Sequence, residues 1–198
     1  RDKAGIRAGK GGIATDGRLR SSNPRVYAIG DVTGRQQFTH VAAHHAGIVL
    51  RNALFRLPAR VEERAIPWVT YTDPELAHVG LTEAAAGAAG HSVEALRFHL
   101  AGNDRANAER ATEGLIKVVA TSRGRVLGAS IAAANAGELI LPWVLAIREK
   151  RTVKALASAI APYPTLSEIS KSAAGSFFTP KLFADRTRRL VRLLARFG

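Results

Sequence analysis

Val26-Tyr27-Ala28-Ile29 is a short apolar run that stops at Gly30-Asp31, and a helical pattern follows it from Thr39 to Phe55. Four apolar residues between a loop and a glycine predict a buried strand. In the second segment Val41, Ile48 and Phe55 recur at helical spacing, and Thr39 stands where an N-cap hydroxyl belongs. A buried strand running into a helix is half of a strand–helix unit of an α/β domain. Glycine at the strand's end lets the backbone approach a ligand closely. Asp31 then falls at the C-terminal edge of the strand, where open α/β sheets bind ligands. A carboxylate there can accept hydrogen bonds from sugar or sugar-alcohol hydroxyls. The helix opening at Thr39 points its positive end toward the same edge, where backbone N–H groups suit a partly anionic ring. By residue type alone, Asp31 reads as a turn residue that closes a strand.

The rest of the chain has a different rhythm. Residues 12–16 are a short β-like run that turns at Asp16-Gly17, and residues 21–24 are a loop. Residues 58–64 are polar and read as a linker, with a boundary near residue 63. Beyond it, strands are predicted at 66–70, 77–81, 92–100, 114–121 and 126–132, with a hairpin turn over 122–125. Helices are predicted at 82–89 (capped by Thr82), 136–149, 153–159 and 166–177. Strands followed by clustered helices imply an α+β arrangement. Asp73-Pro74-Glu75 reads as a turn, Trp68 and Trp143 as core or interface residues. Asn103, Arg105 and Asn107 read as a polar loop with no chemistry assigned.

Charge narrows the choice of partners. The formal net charge is +13, from 29 Lys and Arg against 16 Asp and Glu. Part of it is concentrated near the C-terminus, where Lys181, Arg186, Arg188, Arg189, Arg192 and Arg196 face Asp185 alone. There Leu190, Leu193, Leu194 and Phe197 share a helical stripe with Phe183 while arginines gather on another side, the pattern of a basic amphipathic helix. Such a helix can lie on an anionic membrane surface, dock on its own domain, or dock on a partner. No nucleic-acid motif and few aromatics accompany the charge, so no nucleic-acid partner is expected. His40, His44 and His45 have the spacing of metal ligands on one helix face, but no carboxylate completes a set and no metal is expected. The chain contains no cysteine, which excludes a disulfide scaffold, a thiolate metal site and a cysteine nucleophile within these residues. That fits a reducing cytoplasm. No apolar run is long enough to span a bilayer.

One string carries the chemistry further. Asn23-Pro24-Arg25-Val26-Tyr27-Ala28-Ile29-Gly30-Asp31-Val32, followed by Phe38-Thr39-His40-Val41, resembles the second FAD motif of the class I pyridine nucleotide-disulfide oxidoreductases. That family holds glutathione reductase, dihydrolipoamide dehydrogenase and mercuric reductase. Further matches are residues 70–83, the Asn-Asp-Arg-Ala stretch at 103–106, residues 114–119 and 126–131, Asn135-Ala136-Gly137-Glu138, and residues 162–168; in order they cover about residues 12–178. The resemblance implies residues 1–63 as the C-terminal portion of an FAD-binding domain. It implies residues 64–178 as a dimerisation domain with an antiparallel sheet and helices, leaving 179–198 as a basic amphipathic helix. It further implies that Gly30, Asp31, Thr39, His40 and Val41 contact FAD, with Asp31 on the ribityl chain and the helix at Thr39 facing the pyrimidine end of the flavin. A homodimer through residues 64–178 follows from the same likeness.

In thiol-handling members of that family a His-Pro-Thr-x-x-Glu loop reaches the partner subunit, its His exchanging protons and its Glu orienting the His. Here Tyr163-Pro164-Thr165-Leu166-Ser167-Glu168 stands in its place, so the resemblance implies catalytic roles for Tyr163 and Glu168. Histidine titrates near neutrality, whereas an ordinary tyrosine has a pKa of about 10 and acts at pH 7 as a hydrogen-bond donor. Mercuric reductases also carry tyrosine here, but they carry a C-terminal cysteine pair that this chain lacks. Read by residue type alone, Tyr163 is an interface packing residue. Neither the Gly-x-Gly-x-x-Gly of a nucleotide site nor the redox Cys-x4-Cys occurs in the chain, and the resemblance places both before Arg1. The expectation is therefore part of a longer FAD-dependent, NAD(P)H-oxidising enzyme. The alternative is a dimerisation module without redox activity of its own.

Overall fold

The computed structural model describes residues 2–197. Arg1 and Gly198, the outer bounds of the first and last expected segments, lie outside the described residues. The chain divides into two compact units, Arg1–Glu63 and Arg64–Gly198.

In the first unit, β1 (Ala8–Gly9) and β2 (Gly12–Ile13) pair as a small antiparallel hairpin. A 3₁₀ turn covers Gly30–Thr33, and α1 covers Thr39–Ala53. The expected strand at 26–29 is not formed. Its run makes a single bridge, Arg20 with Tyr27, and Ala28 donates to the Leu19 carbonyl at 3.1 Å. A strand needs a ladder to satisfy its backbone groups. Past Ala28 no described strand lies alongside, so Ile29 is exposed and the backbone winds into the 3₁₀ turn. Helix α1 buries Val41, His45 and Ile48, spaced four and three residues apart on one face. Its N-cap is Phe38, with no side-chain bond, so Thr39 is the first helical residue and not the cap. Phe55 was expected on the apolar stripe but lies beyond the helix and is exposed. Leu19, Ile48 and Ala59 form the buried centre of this unit, with Tyr27, Val49 and Val61 against them.

The second unit is built on β3 (Pro67–Thr70), β4 (Glu75–Gly80), β5 (Val93–His99), β6 (Leu115–Thr121) and β7 (Val126–Ala133). They form one five-stranded sheet in the order β3-β4-β7-β6-β5, antiparallel throughout. The β6–β7 hairpin closes over 122–125, where Gly124 adopts φ +81°, and a register shift at Val119/Ala120 marks a bulge. Crossing from β4 to its neighbour β7 brings Gly80 opposite Gly128. A Cβ on Gly128 would meet the Leu81 carbonyl at 2.0 Å, so this close approach of backbones requires glycine.

Helices α2 (Glu83–Ala88), α3 (Asp104–Glu109), α4 (Ala136–Leu139), α5 (Leu141–Arg148), α6 (Lys154–Ala157), α7 (Glu168–Ser176), α8 (Thr179–Leu182) and α9 (Asp185–Leu194) complete the unit. Ile116, Val118, Ala129 and Ile131 from the sheet pack with Trp143 and Ile147 of α5 and with Ile169 and Ala173 of α7. The buried Trp143 indole donates to Ser170 Oγ at 3.0 Å, which satisfies its one polar atom inside the core. The single helix expected over 136–149 is broken in two. Pro142 stands in the first turn of α5 and has no N–H to continue the ladder from α4. Among the described residues no helix is long and apolar enough to cross a membrane. The α+β class with an antiparallel sheet agrees with the sequence reading.

Candidate functional site

Two places bear on chemistry, one in each unit, and each is described by itself. In the first unit Gly30 takes φ +63°, a conformation that glycine adopts without steric cost. A Cβ there would lie 2.9 Å from Ala42 Cβ. The space behind Gly30 is thus filled by α1, and the glycine serves to seat the helix against the loop. Gly30 N–H donates to Nδ1 of the buried His45 at 3.2 Å, and Thr33 Oγ1 donates to the Gly30 carbonyl at 2.7 Å. The first bond pins the loop to α1, and the second closes the 3₁₀ turn on itself. Asp31 is exposed, and among the described residues no side-chain or backbone donor bonds to its carboxylate.

Thr39 and His40 are exposed in the first turn of α1, and the His40 ring stacks on Phe38 at 5.3 Å between centroids. Val41 differs from them. Its side chain is buried, and its N–H bonds to the Phe38 carbonyl at 3.0 Å. Of the three histidines with metal-ligand spacing, His45 is packed and bonded, while His40 and His44 are exposed. Burial, then the positive charges of His44 and Arg35, hold the His45 pKa below its ordinary value. The arrangement tests well against a flavin nucleotide. An exposed carboxylate offers acceptors to hydroxyls, and the first turn of a fifteen-residue helix lies in the same unit.

In the second unit Tyr163 sits on the short loop before α7, and Glu168 is the first residue of that helix. Tyr163 Oη donates to Asp104 Oδ2 at 2.9 Å, and its ring is 70 % exposed. The hydrogen bond to Asp104, and then its negative charge, raise the phenol pKa above the ordinary value; Glu168 adds to the same effect. Glu168 Oε2 receives the Thr165 N–H at 3.5 Å, so this carboxylate belongs to the backbone of the loop and not to the tyrosine hydroxyl. Thr165 Oγ1 is within 2.7 Å of both the Pro162 carbonyl and Ser167 Oγ.

Asn103, Arg105 and Asn107 were expected in a polar loop, but the segment is helical because Asn103 caps it. Residues 104–109 form α3, and the buried Asn103 is its N-cap, with Oδ1 accepting the Ala106 N–H at 2.9 Å. Its Nδ2 donates to the Thr165 carbonyl at 3.1 Å. One side chain therefore starts the helix that presents Asp104 and also ties down the loop that presents Tyr163. An Asn-Asp pair before Arg-Ala-Asn-Ala-Glu is a capping signal that sequence alone could have yielded. That the capped helix meets a loop 59 residues away could not be read locally.

Comparison with known proteins places both units in one family. Residues 66–174 match the profile described as pyridine nucleotide-disulphide oxidoreductase, dimerisation domain, and residues 1–46 match that of pyridine nucleotide-disulphide oxidoreductase. The chain is 39% identical over 178 residues to a mercuric reductase of Staphylococcus aureus, covering 89% of this chain and 32% of that protein. It is 37% identical over 166 residues to a dihydrolipoyl dehydrogenase of Bacillus subtilis, covering 83% and 35%. Among solved structures, LpdA from Mycobacterium tuberculosis superposes with a TM-score of 0.83 at 31% identity, over 88% of this chain and 39% of that one. The HOCl-induced flavoprotein disulfide reductase RclA from Escherichia coli gives 0.81 at 26% identity, over 88% and 41%. The chain spans about a third of the length of the curated relatives it matches. With more than half of its residues inside the dimerisation-domain profile, this chain belongs to the pyridine nucleotide-disulphide oxidoreductase family.

Proposed function

We propose that this chain contributes the flavin-contacting loop and the dimer-forming domain of an FAD-dependent, NAD(P)H-oxidising reductase that passes electrons to a disulfide or a metal ion. The observation that carries the proposal is the Gly30-Asp31 turn, pinned to α1 by His45 with its carboxylate left open. In this reading Asp31 accepts hydrogen bonds from the ribityl hydroxyls of FAD. The backbone of Thr39 and His40 favours the electron-rich end of the flavin through the helix dipole. Val41 acts as packing that holds the first turn in place. Bound FAD supplies two-electron chemistry between the nicotinamide and the acceptor.

Tyr163 presents a phenol that stays protonated at neutral pH, so it orients or polarises an acceptor and does not relay protons as histidine would. Glu168, from the first turn of α7, holds the backbone of the Tyr163 loop at Thr165. Homodimerisation through residues 64–178 is supported by the dimerisation-domain match and by the exposed apolar residues Leu141, Leu145 and Ile160 beside the Tyr163 loop. The relatives named mercuric reductase favour a metal acceptor; those named dihydrolipoyl dehydrogenase favour a disulfide. We place the enzyme in the cytoplasm, where NAD(P)H is at hand.

The test uses the natural full-length protein. It should purify with visible flavin absorbance, and Asp31→Ala should lose most of its flavin on gel filtration. Oxidation of NADPH and NADH with Hg(II) or oxidised lipoamide as acceptor then identifies the substrate class. A full-length protein that neither carries nor binds FAD would overturn the reading.

A further inference from the structure

Helix α9 leaves its apolar side uncovered. Leu190, Val191, Leu193 and Leu194 are 50–59% exposed, and beyond the helix Phe197 is 82% exposed. Leu182 and Phe183, at the junction from α8, are equally open. Among the described residues none of the helix's own domain covers this face. Its placement is nonetheless defined. Thr187 Oγ1 donates to the Lys181 carbonyl at 2.7 Å, which ties the start of α9 to α8, and the Lys181 ammonium lies 4.7 Å from the centre of the Phe177 ring.

We infer that α9, with Phe183 and Phe197 at its two ends, is a docking helix for an anionic phospholipid surface. Leu190, Leu193, Leu194 and Phe197 follow the i, i+3, i+4, i+7 spacing of one face. Arg188, Arg192 and Arg196 recur every fourth residue on the opposite side, with Arg189 beside them. Among the described residues none of Arg186, Arg188, Arg189 and Arg192 pairs with a carboxylate, and all are exposed. A helix of this build lies in the plane of the headgroups, with its leucines at the acyl boundary and its arginines among the phosphates. Arg186, on the leucine side, can keep its methylenes with the stripe and extend its guanidinium back to the headgroups.

Charge decides among the occupants. A second copy of this helix would bring two arginine-rich segments together around only one Asp185 each, which is repulsive. A nucleic acid would engage the arginines but leave the leucine and phenylalanine stripe in water. An anionic bilayer satisfies both faces at once, and Lys181 adds a further cation at the same end.

The experiment is co-sedimentation of the full-length protein with vesicles of phosphatidylcholine alone or of phosphatidylcholine mixed with phosphatidylglycerol. The expected result is binding to the anionic vesicles more than about tenfold stronger than to the neutral ones. That binding should weaken as salt is raised. Arg188→Glu with Arg192→Glu should abolish the preference, whereas Arg188→Lys with Arg192→Lys should keep it. Leu190→Ser with Leu194→Ser leaves every charge in place and should also lose about tenfold in binding. All four side chains are exposed, so these variants should melt with the parent protein. Equal binding to neutral vesicles would overturn the inference. So would undiminished binding by the serine pair, or duplex DNA retained more strongly than anionic vesicles.

Discussion

Tyr163 Oη donates to Asp104 Oδ2 across 2.9 Å, joining the exposed loop before α7 to the first residue of α3. A carboxylate that accepts from a phenol stabilises the neutral phenol, both by the hydrogen bond and by repelling a tyrosinate. The tyrosine is exposed, so the effect reaches its ionisation and contributes little to fold stability.

Replacing Asp104 by Asn removes the charge and keeps a polar partner. Tyr163 should then ionise at lower pH than in the parent protein, because both influences that raise its pKa come mainly from Asp104. Ultraviolet titration of tyrosinate in the parent, Asp104→Asn and Tyr163→Phe proteins isolates the group, as the difference between the parent and Tyr163→Phe is the Tyr163 signal. If Tyr163 works as a protonated donor, the alkaline limb of turnover moves down in pH with the same substitution. An unchanged tyrosine titration would mean that the hydrogen bond does not persist in solution.

Asn103→Ala deletes an N-cap and a loop tie in one step, and it leaves the Ala106 N–H and the Thr165 carbonyl to find other partners. The expected loss is about 1–3 kcal/mol, measured by denaturant unfolding of the full-length protein. Asn103→Asp separates the two roles. Its carboxylate can still cap α3, but it cannot donate to Thr165. It should recover much of the stability while leaving the Tyr163 loop loose, seen as faster amide exchange around Thr165. Equal stability of Asn103→Ala and the parent would show that neither bond matters.

The sheet was legible because its strands carry their own signals. The apolar runs over 115–121 and 126–133 with their β-branched residues, and Gly124 at the turn between them, are local sequence properties that survive in any context. The strand at 26–29 failed for the complementary reason. Its apolar run is real, but a strand exists only with neighbours, and the described residues supply one bridge. Pro142 was visible in the sequence, yet the apolar pattern runs through it and hides the break between α4 and α5. Asp31 could be singled out from the sequence, but the link of its neighbour Gly30 to α1 through His45 could not. A buried histidine accepting from a glycine 15 residues earlier has no periodic signature.

That link makes the loop sensitive to acid. His45 Nδ1 accepts from Gly30 N–H, so the ring is neutral with its proton on Nε2. Burial and the nearby positive groups lower its folded pKa below the unfolded value of about 6.5. The unfolded state therefore binds the proton more readily, and stability must rise with pH across this range. The stabilisation is fully present above about pH 6.5 and is lost as pH falls below it. Protonated, Nδ1 becomes a donor facing a donor, and the Gly30-Asp31 turn loses its tie to α1. Thermal unfolding of the full-length protein between about pH 8 and pH 5 should show this acid limb. His45→Gln can still accept from Gly30 and does not titrate, so it should start less stable but decline less steeply. Relative to its intrinsic rate at each pH, the Gly30 amide should lose protection at low pH in the parent and not in the variant. An acid limb of the same slope in both proteins would assign the loss of stability to other groups.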